Sequence, residues 1–147
     1  MKFSHTITIG RPRERIYELL ANPPELKSWF PGFVASEPLG GAAGTPGATA
    51  RLTFETASGP IVLLETVIDR QPPDLLATTY EFETVIYSLM HHLESVAAAE
   101  TRWTLECTSD VERGGWLVNW LLSRTLQAAG RKGMAQFKAK VEAATLT

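Results

Sequence analysis

The chain's 147 residues fit one domain, 1–147, large enough to bury most of its apolar surface and still leave a cavity. Its 14 Lys and Arg stand against 16 Asp and Glu, a net charge of -2, and the basic residues are scattered except near Arg11 to Arg15 and after Arg131, which argues against nucleic acid as a partner, since that requires a concentrated basic face. Cys107 is the only cysteine, so an internal disulfide and a thiol-rich metal site are excluded and a reducing cytoplasm is the expected location.

Residues Met1 to Ile9 lack the continuous apolar core of a signal peptide, and no stretch is apolar enough for stable membrane insertion. Phe3, His5, Ile7 and Ile9 alternate with Ser4, Thr6 and Thr8, the period of a strand with one buried face. Pro12 suits the first turn of a helix, whose inward side would be Ile16, Leu19 and Leu20. Asn22-Pro23-Pro24 must break it, and a second short helix is expected over 25–29 before Phe30-Pro31-Gly32-Phe33 turns the chain.

The glycine- and alanine-rich run 40–47 has little side chain to pack and reads as a mobile hairpin connection or flap. Strands follow: Ala50, Leu52 and Phe54 alternate with polar residues, Gly59-Pro60 turns into 61–69, and Pro72-Pro73 turns again. Leu76, Thr78, Tyr80 and Phe82 alternate next, then come 85–96 and 101–108, with Trp103, Leu105 and Cys107 on one face.

From Gly114 to Glu142 the chain reads as one long helix of two characters. Trp116, Leu117, Val118, Trp120, Leu121 and Leu122 make its first turns apolar almost all round, whereas Leu126, Met134, Phe137 and Val141 form a single stripe bordered by Arg131, Lys132, Lys138 and Lys140. The sum is an α+β fold: one strand, two short helices, five or six sequential antiparallel strands, and a terminal helix of roughly 40 Å that the curved sheet wraps.

The run Ile9-Gly10-Arg11-Pro12-Arg13-Glu14-Arg15-Ile16-Tyr17-Glu18-Leu19-Leu20 resembles the first strand-to-helix junction of the helix-grip, START-like superfamily, often labelled SRPBCC, including its polyketide cyclase/dehydrase branch. Trp29-Phe30-Pro31-Gly32-Phe33 resembles the close of its second short helix, and Met134-Ala135-Gln136-Phe137-Lys138 the end of its terminal helix. The resemblance implies a hydrophobic-ligand cavity between sheet and terminal helix. It implies no single chemistry, since members carry lipids, polyketides, hormones or quinones and only some catalyse a reaction.

The expected lining is Phe33, Leu52, Phe54, Tyr80, Tyr87, Leu89, His91, Trp103, Trp116, Trp120, Met134 and Phe137. Within it Tyr80, Tyr87 and His91 would orient a small hydrophobic ligand, a lipid, isoprenoid, polyketide or aromatic compound. No cofactor and no metal are implied: His91 and His92 face opposite ways on a strand, and His92 shares the solvated face with Glu94. His5 reads as a core histidine. Glu65 interrupts an apolar run whose two registers are equally apolar; outward and solvated is the preferred reading, and inward it would be a general base. Cys107 reads as a small buried hydrophobe. Gly130 and Gly133 could thin the last helix where ligand or sheet comes close, or merely permit a bend. Trp116 and Trp120 are cavity lining first, a homodimer contact second and a membrane contact third. The leading function is binding or carriage of a hydrophobic ligand; the alternative is a cyclase or dehydratase that moves a proton with His91 or Glu65.

Overall fold

The computed structural model describes residues 2–22, 25, 30–42, 44–83, 85–111 and 115–144, with backbone alone at 110, 111, 115, 116, 118, 119 and 122. Strand β1 (Lys2–Ile9) leads into helix α1 (Arg13–Ala21). Six sequential strands follow: β2 (Phe33–Gly40), β3 (Thr49–Thr56), β4 (Gly59–Gln71), β5 (Leu75–Phe82), β6 (Val85–Ala97) and β7 (Glu100–Val111). Helix α2 (Gly115–Ala143) closes the chain. The strands form one antiparallel sheet in the order β1-β7-β6-β5-β4-β3-β2, and α2 lies across β1 and β7. This is the helix-grip arrangement, with one helix after strand β1 in the described residues. Apart from Glu25, the second short helix expected over 25–29, and the prolines before it, lie outside them.

Each inward face follows from alternation. On β1, Phe3, His5, Ile7 and Ile9 point to the interior; opposite them on β7, Cys107, Leu105, Trp103 and Thr101 are all buried. On α1 the buried residues are Ile16, Tyr17 and Leu20, so the tyrosine takes the inward place expected of Leu19, which is only half-buried. On α2 the stripe settles as expected: Met134, Phe137 and Val141 are buried and Leu126 packs against the same core.

Strand β2 was not legible as a strand. Its burial is low, and it occupies the sheet's far edge, where Pro38 is tolerated because an edge strand has one side without ladder partners. The turn expected at Gly59-Pro60 lies one step earlier: Thr56 Oγ1 donates to Gly59 O (2.6 Å), the Ser58 N–H donates to Thr56 Oγ1 (3.2 Å), and β4 already begins at Gly59.

The 40–49 connection is a hairpin, as expected, but it is pinned. The Gly47 N–H donates to Val67 O (2.7 Å), the Val67 N–H to Ala48 O (2.9 Å), and Arg70 Nη1 to Gly44 O (3.0 Å). Gly44 has φ 78°, and a Cβ there would lie 2.1 Å from Arg70 Nη1, so only glycine lets the guanidinium in. At the opposite end, Glu142 clamps α2 to the β1–α1 junction. Its Oε2 accepts the Gly10 N–H (2.7 Å), its backbone carbonyl accepts Arg11 Nη2 (2.6 Å), and Lys138 Nζ donates to Thr8 O (2.6 Å).

Candidate functional site

Between α2 and the sheet lies a cavity of about 280 Å³. Its walls come from every layer: Phe3 on β1, Phe54 on β3, Ile61 and Leu63 on β4, Tyr87 and Leu89 on β6, Leu105 and Cys107 on β7, and Leu126, Ala129 and Gly130 on α2. Phe30 and Pro31 close one side, and the exposed Thr56, Thr125 and Ala129 mark where the walls reach solvent. Alternation aims the strand residues inward, and the small α2 residues leave the volume unfilled. A Cβ on Gly130 would meet Leu105 Cδ2 at 3.5 Å and Phe3 Cε2 at 3.7 Å, so helix and sheet approach closely here. Burial raises the Cys107 thiol to about 11, which keeps it protonated and suits a small apolar wall residue better than a nucleophile.

One row of residues crosses the sheet beside this cavity. Strand register places Pro38 opposite Ala50, Ala50 opposite Glu65, Glu65 opposite Tyr80, Tyr80 opposite Tyr87, and Tyr87 opposite Ser109. The Tyr80 and Tyr87 rings stack with centroids 5.2 Å apart, and Phe30 stands edge-on to Tyr80 at 5.8 Å. Behind that aromatic partition is a polar pocket of about 50 Å³ lined by Glu65, Thr78, Tyr80, His91 and Arg70 among Leu20, Ala21, Val67 and Leu76.

Here the structure corrects the preferred reading of Glu65, which points inward. The β3–β4 register puts Ile61, Leu63, Glu65 and Val67 on one face, and Val62 and Ile68, both exposed, on the other. Burial pushes its carboxyl above the usual carboxylate range; the Tyr80 hydroxyl, donating toward it, pulls the other way with less effect. Tyr80 in turn accepts from Thr78 Oγ1 (3.1 Å) and is itself raised by burial and by the neighbouring carboxylate, as Tyr87 is by burial.

His91 is buried and its pKa falls to about 3, mainly by loss of solvation and secondarily by His92 beside it. Trp103 Nε1–H, which is a donor only, meets His91 Nδ1 at 3.1 Å, so the neutral ring carries its proton on Nε2. His92 sits outside against Glu106 (3.3 Å), and Glu94 against Arg102 (3.1 Å), the opposite-face division expected of this strand.

Of the expected lining residues, Phe54, Tyr87 and Leu89 face the larger cavity and Tyr80 and His91 the polar pocket. Phe33 stacks edge-on against Phe54 at 5.7 Å. Leu52, Trp103, Met134 and Phe137 are not among the residues lining either space; they are fully buried in close packing, with Trp103 edge-on to Phe137 at 5.2 Å. Trp120 is 42% exposed beside Leu117 (50%) and Leu121 (51%), its ring under the Arg124 guanidinium at 5.0 Å, and so lies outside the cavity. The Trp116 side chain lies outside the described residues. His5 is half-buried and lines neither space. Phe3, Ile61, Leu63, Leu105 and Cys107 escaped the expected lining although their alternation already placed most of them on inward faces; Thr125 and Ala129 carried no such signal.

A family model described as polyketide cyclase/dehydrase and lipid transport matches residues 1–142. No curated protein sequence matches the chain. Among solved structures, the chain is similar to the di-domain aromatase/cyclase BexL of the BE-7585A biosynthetic pathway (TM-score 0.80, 19% identity), covering 97% of this chain and 46% of BexL. It is similar to the aromatase/cyclase ZhuI from Streptomyces sp. R1128 (TM-score 0.74, 17% identity; 100% of this chain, 99% of that one) and to Ara h 8.0201 (TM-score 0.72, 14% identity; 93% and 97%). The chain thus spans just under half of BexL. At these identities the likeness is one of fold.

Proposed function

The chain belongs to the polyketide cyclase/dehydrase and lipid-transport family, and from that membership and its geometry we propose that it binds a small, predominantly apolar ligand in the cavity between sheet and α2. The observation that carries the reading is the cavity itself: about 280 Å³, at the small end of the range of ligand pockets, walled by aliphatic and aromatic side chains from six elements and reaching solvent beside α2. Burial of ligand carbon at about 25 cal/mol per Å² supplies the affinity. Tyr87 is the polar wall residue that would orient it, since the Thr56 hydroxyl is bonded within its turn and the Thr125 hydroxyl donates to Leu121 O (3.1 Å). No helix among the described residues is long and apolar enough to cross a membrane.

The test is uptake of a fluorescent fatty acid together with mass spectrometry of solvent extracts of the purified protein. Saturable uptake that disappears in Ala129→Trp, which fills the mouth from the helix side, supports the proposal. Absence of uptake and of any extracted compound overturns it.

A second reading, cyclase- or dehydratase-type proton transfer, is favoured by one observation: Glu65, with its raised pKa, faces Tyr80 in a pocket separated from the apolar cavity by the stacked Tyr80 and Tyr87 rings. The polar pocket holds only a few atoms, so a substrate's bulk would occupy the larger cavity. Glu65→Gln and His91→Gln are the discriminating variants: turnover of a poly-keto substrate that survives both removes this reading, while ligand uptake that survives both leaves the first intact.

A further inference from the structure

The polar row ends at a third space that neither reading uses. Beneath the 40–49 hairpin lies a pocket of about 300 Å³ lined by Ser36, Pro38, Gly40, Gly41, Gly44, Ala48, Thr49, Ala50, Glu65 and Val67. Its lining is made of small side chains and backbone, with one acid. Glu65 belongs to this pocket and to the small polar one, so the carboxyl stands between them.

From this geometry we propose a second ligand site, beneath the hairpin, that takes a small alkylammonium ion with its charged group on Glu65 and its alkyl chain against Pro38, Ala48, Ala50 and Val67. Three observations converge on that class. The first is charge. Among the described residues no Lys or Arg forms an ion pair with Glu65, and a carboxylate held largely out of water without a counter-charge is destabilised. A cation offsets that cost, whereas an alcohol does not.

The second is hydrogen-bonding capacity. An ionised carboxylate offers about four acceptor positions, and Tyr80 donates toward it from the far side, leaving capacity toward the hairpin. An ammonium has three donors, and Ser36, opposite Leu52 on the inward face, adds a hydroxyl oxygen to the same wall. The third is shape. Gly41 has φ 75°, and a Cβ there would lie 2.9 Å from Ala48 Cα, so the hairpin is closed over the space by backbone contact while the walls stay small. Arg70, which lines the polar pocket with Glu65, forms no ion pair with it: Nη1 donates to Gly44 O and the guanidinium lies over the Tyr17 ring at 5.7 Å.

The experiment is titration of isotope-labelled protein with n-butylammonium chloride at neutral pH, followed by amide resonances, with n-butanol as the uncharged control. Saturable shifts at Gly44, Ala48 and Thr49, at least tenfold weaker binding in Glu65→Gln, and n-butanol weaker by a similar factor are the expected results. Should Glu65→Gln fail to fold, Ala50→Phe keeps the carboxylate and fills the space at its cross-strand neighbour, and the same loss is expected. The proposal is overturned if no saturable shift appears, if n-butanol binds as well, if the variants bind unchanged, or if shifts centre on Leu105 and Ala129. The last outcome would assign the cation to the apolar cavity. Fatty-acid uptake is expected to be unchanged in Ala50→Phe, which separates failure of this site from failure of the first.

Discussion

Two halves of α2 lie on the same strands and reach opposite results. Toward its end, Met134, Phe137 and Val141 fill the space above Trp103, Ile9 and Ile16, and no side chain in that group exposes more than a few per cent of its surface. Two to three turns earlier, Thr125, Ala129 and Gly130 face Leu105, Cys107 and Phe3 across a cavity of about 280 Å³. The backbone is helical in both halves, and β1 and β7 present apolar side chains to each, Ile9 and Trp103 to one and Phe3, Leu105 and Cys107 to the other. Side-chain volume on one helix face is therefore what separates core from binding space, because interiors pack to a density that leaves no room unless the residues are small.

Moving a void into the packed half gives the largest expected effect. Phe137→Ala removes a fully buried ring that stands edge-on to Trp103, and truncations of this kind cost about 3–5 kcal/mol. Denaturant unfolding should show that loss, and fatty-acid uptake should not rise in compensation, since the new void has no mouth. A cost below about 1 kcal/mol would mean that the two halves are equally loosely packed, and the comparison would fail.

The polar layer that borders both halves predicts a pH dependence of intermediate size. His91 titrates at about 3 in the folded chain against 6.5 ordinarily, so below pH 6.5 the unfolded chain binds the extra proton and stability falls as pH falls. The limiting slope is about 1.4 kcal/mol per pH unit. Glu65 acts in the opposite direction: its raised folded pKa contributes stability that is full below the ordinary carboxyl value and is lost as pH rises through the folded one. The Glu65 window opens at the ordinary carboxyl value, inside the His91 window, so where the two overlap the wild-type curve understates each. His91→Gln, which retains an acceptor for the Trp103 indole, should lose most of the acid-side fall, and Glu65→Gln should steepen it. Superimposable stability curves for wild type and His91→Gln from pH 7 to 4 would show that the imidazole is hydrated and outside the packed layer.

Much of this architecture was legible from spacing alone. The alternation of Phe3, His5, Ile7 and Ile9, and the stripe ending in Met134, Phe137 and Val141, each bury the face that periodicity indicates. The inward direction of Glu65 was not legible, because Ile61, Leu63 and Val67 on one register and Val62, Leu64 and Ile68 on the other are equally apolar; pairing with β3 decides it. Nor could spacing separate lining from packing. Trp103 and Leu105 share one face of β7, yet Trp103 meets Phe137 and Leu105 meets the small side of α2, a difference set by residues about 30 positions further on. Strand β2 was missed because an exposed edge strand carries little hydrophobic alternation.

Gly130→Ala is the mildest perturbation and tests the comparison from the opposite side. Inside a helix, alanine is about 0.8–1.0 kcal/mol better than glycine, and the added Cβ would sit 3.5 Å from Leu105 Cδ2 and 3.7 Å from Phe3 Cε2, ordinary contact distances. Stability should therefore rise by up to about 1 kcal/mol, read as a higher denaturant midpoint at unchanged slope. The same methyl group projects into the cavity wall, so affinity for the fluorescent fatty acid should fall as stability rises. That opposition is the signature of a glycine kept for the space it leaves. If the variant were stabilised with uptake unchanged, Gly130 would be serving only the close approach of helix to sheet, and the volume of the cavity would have to be attributed to Thr125 and Ala129 instead.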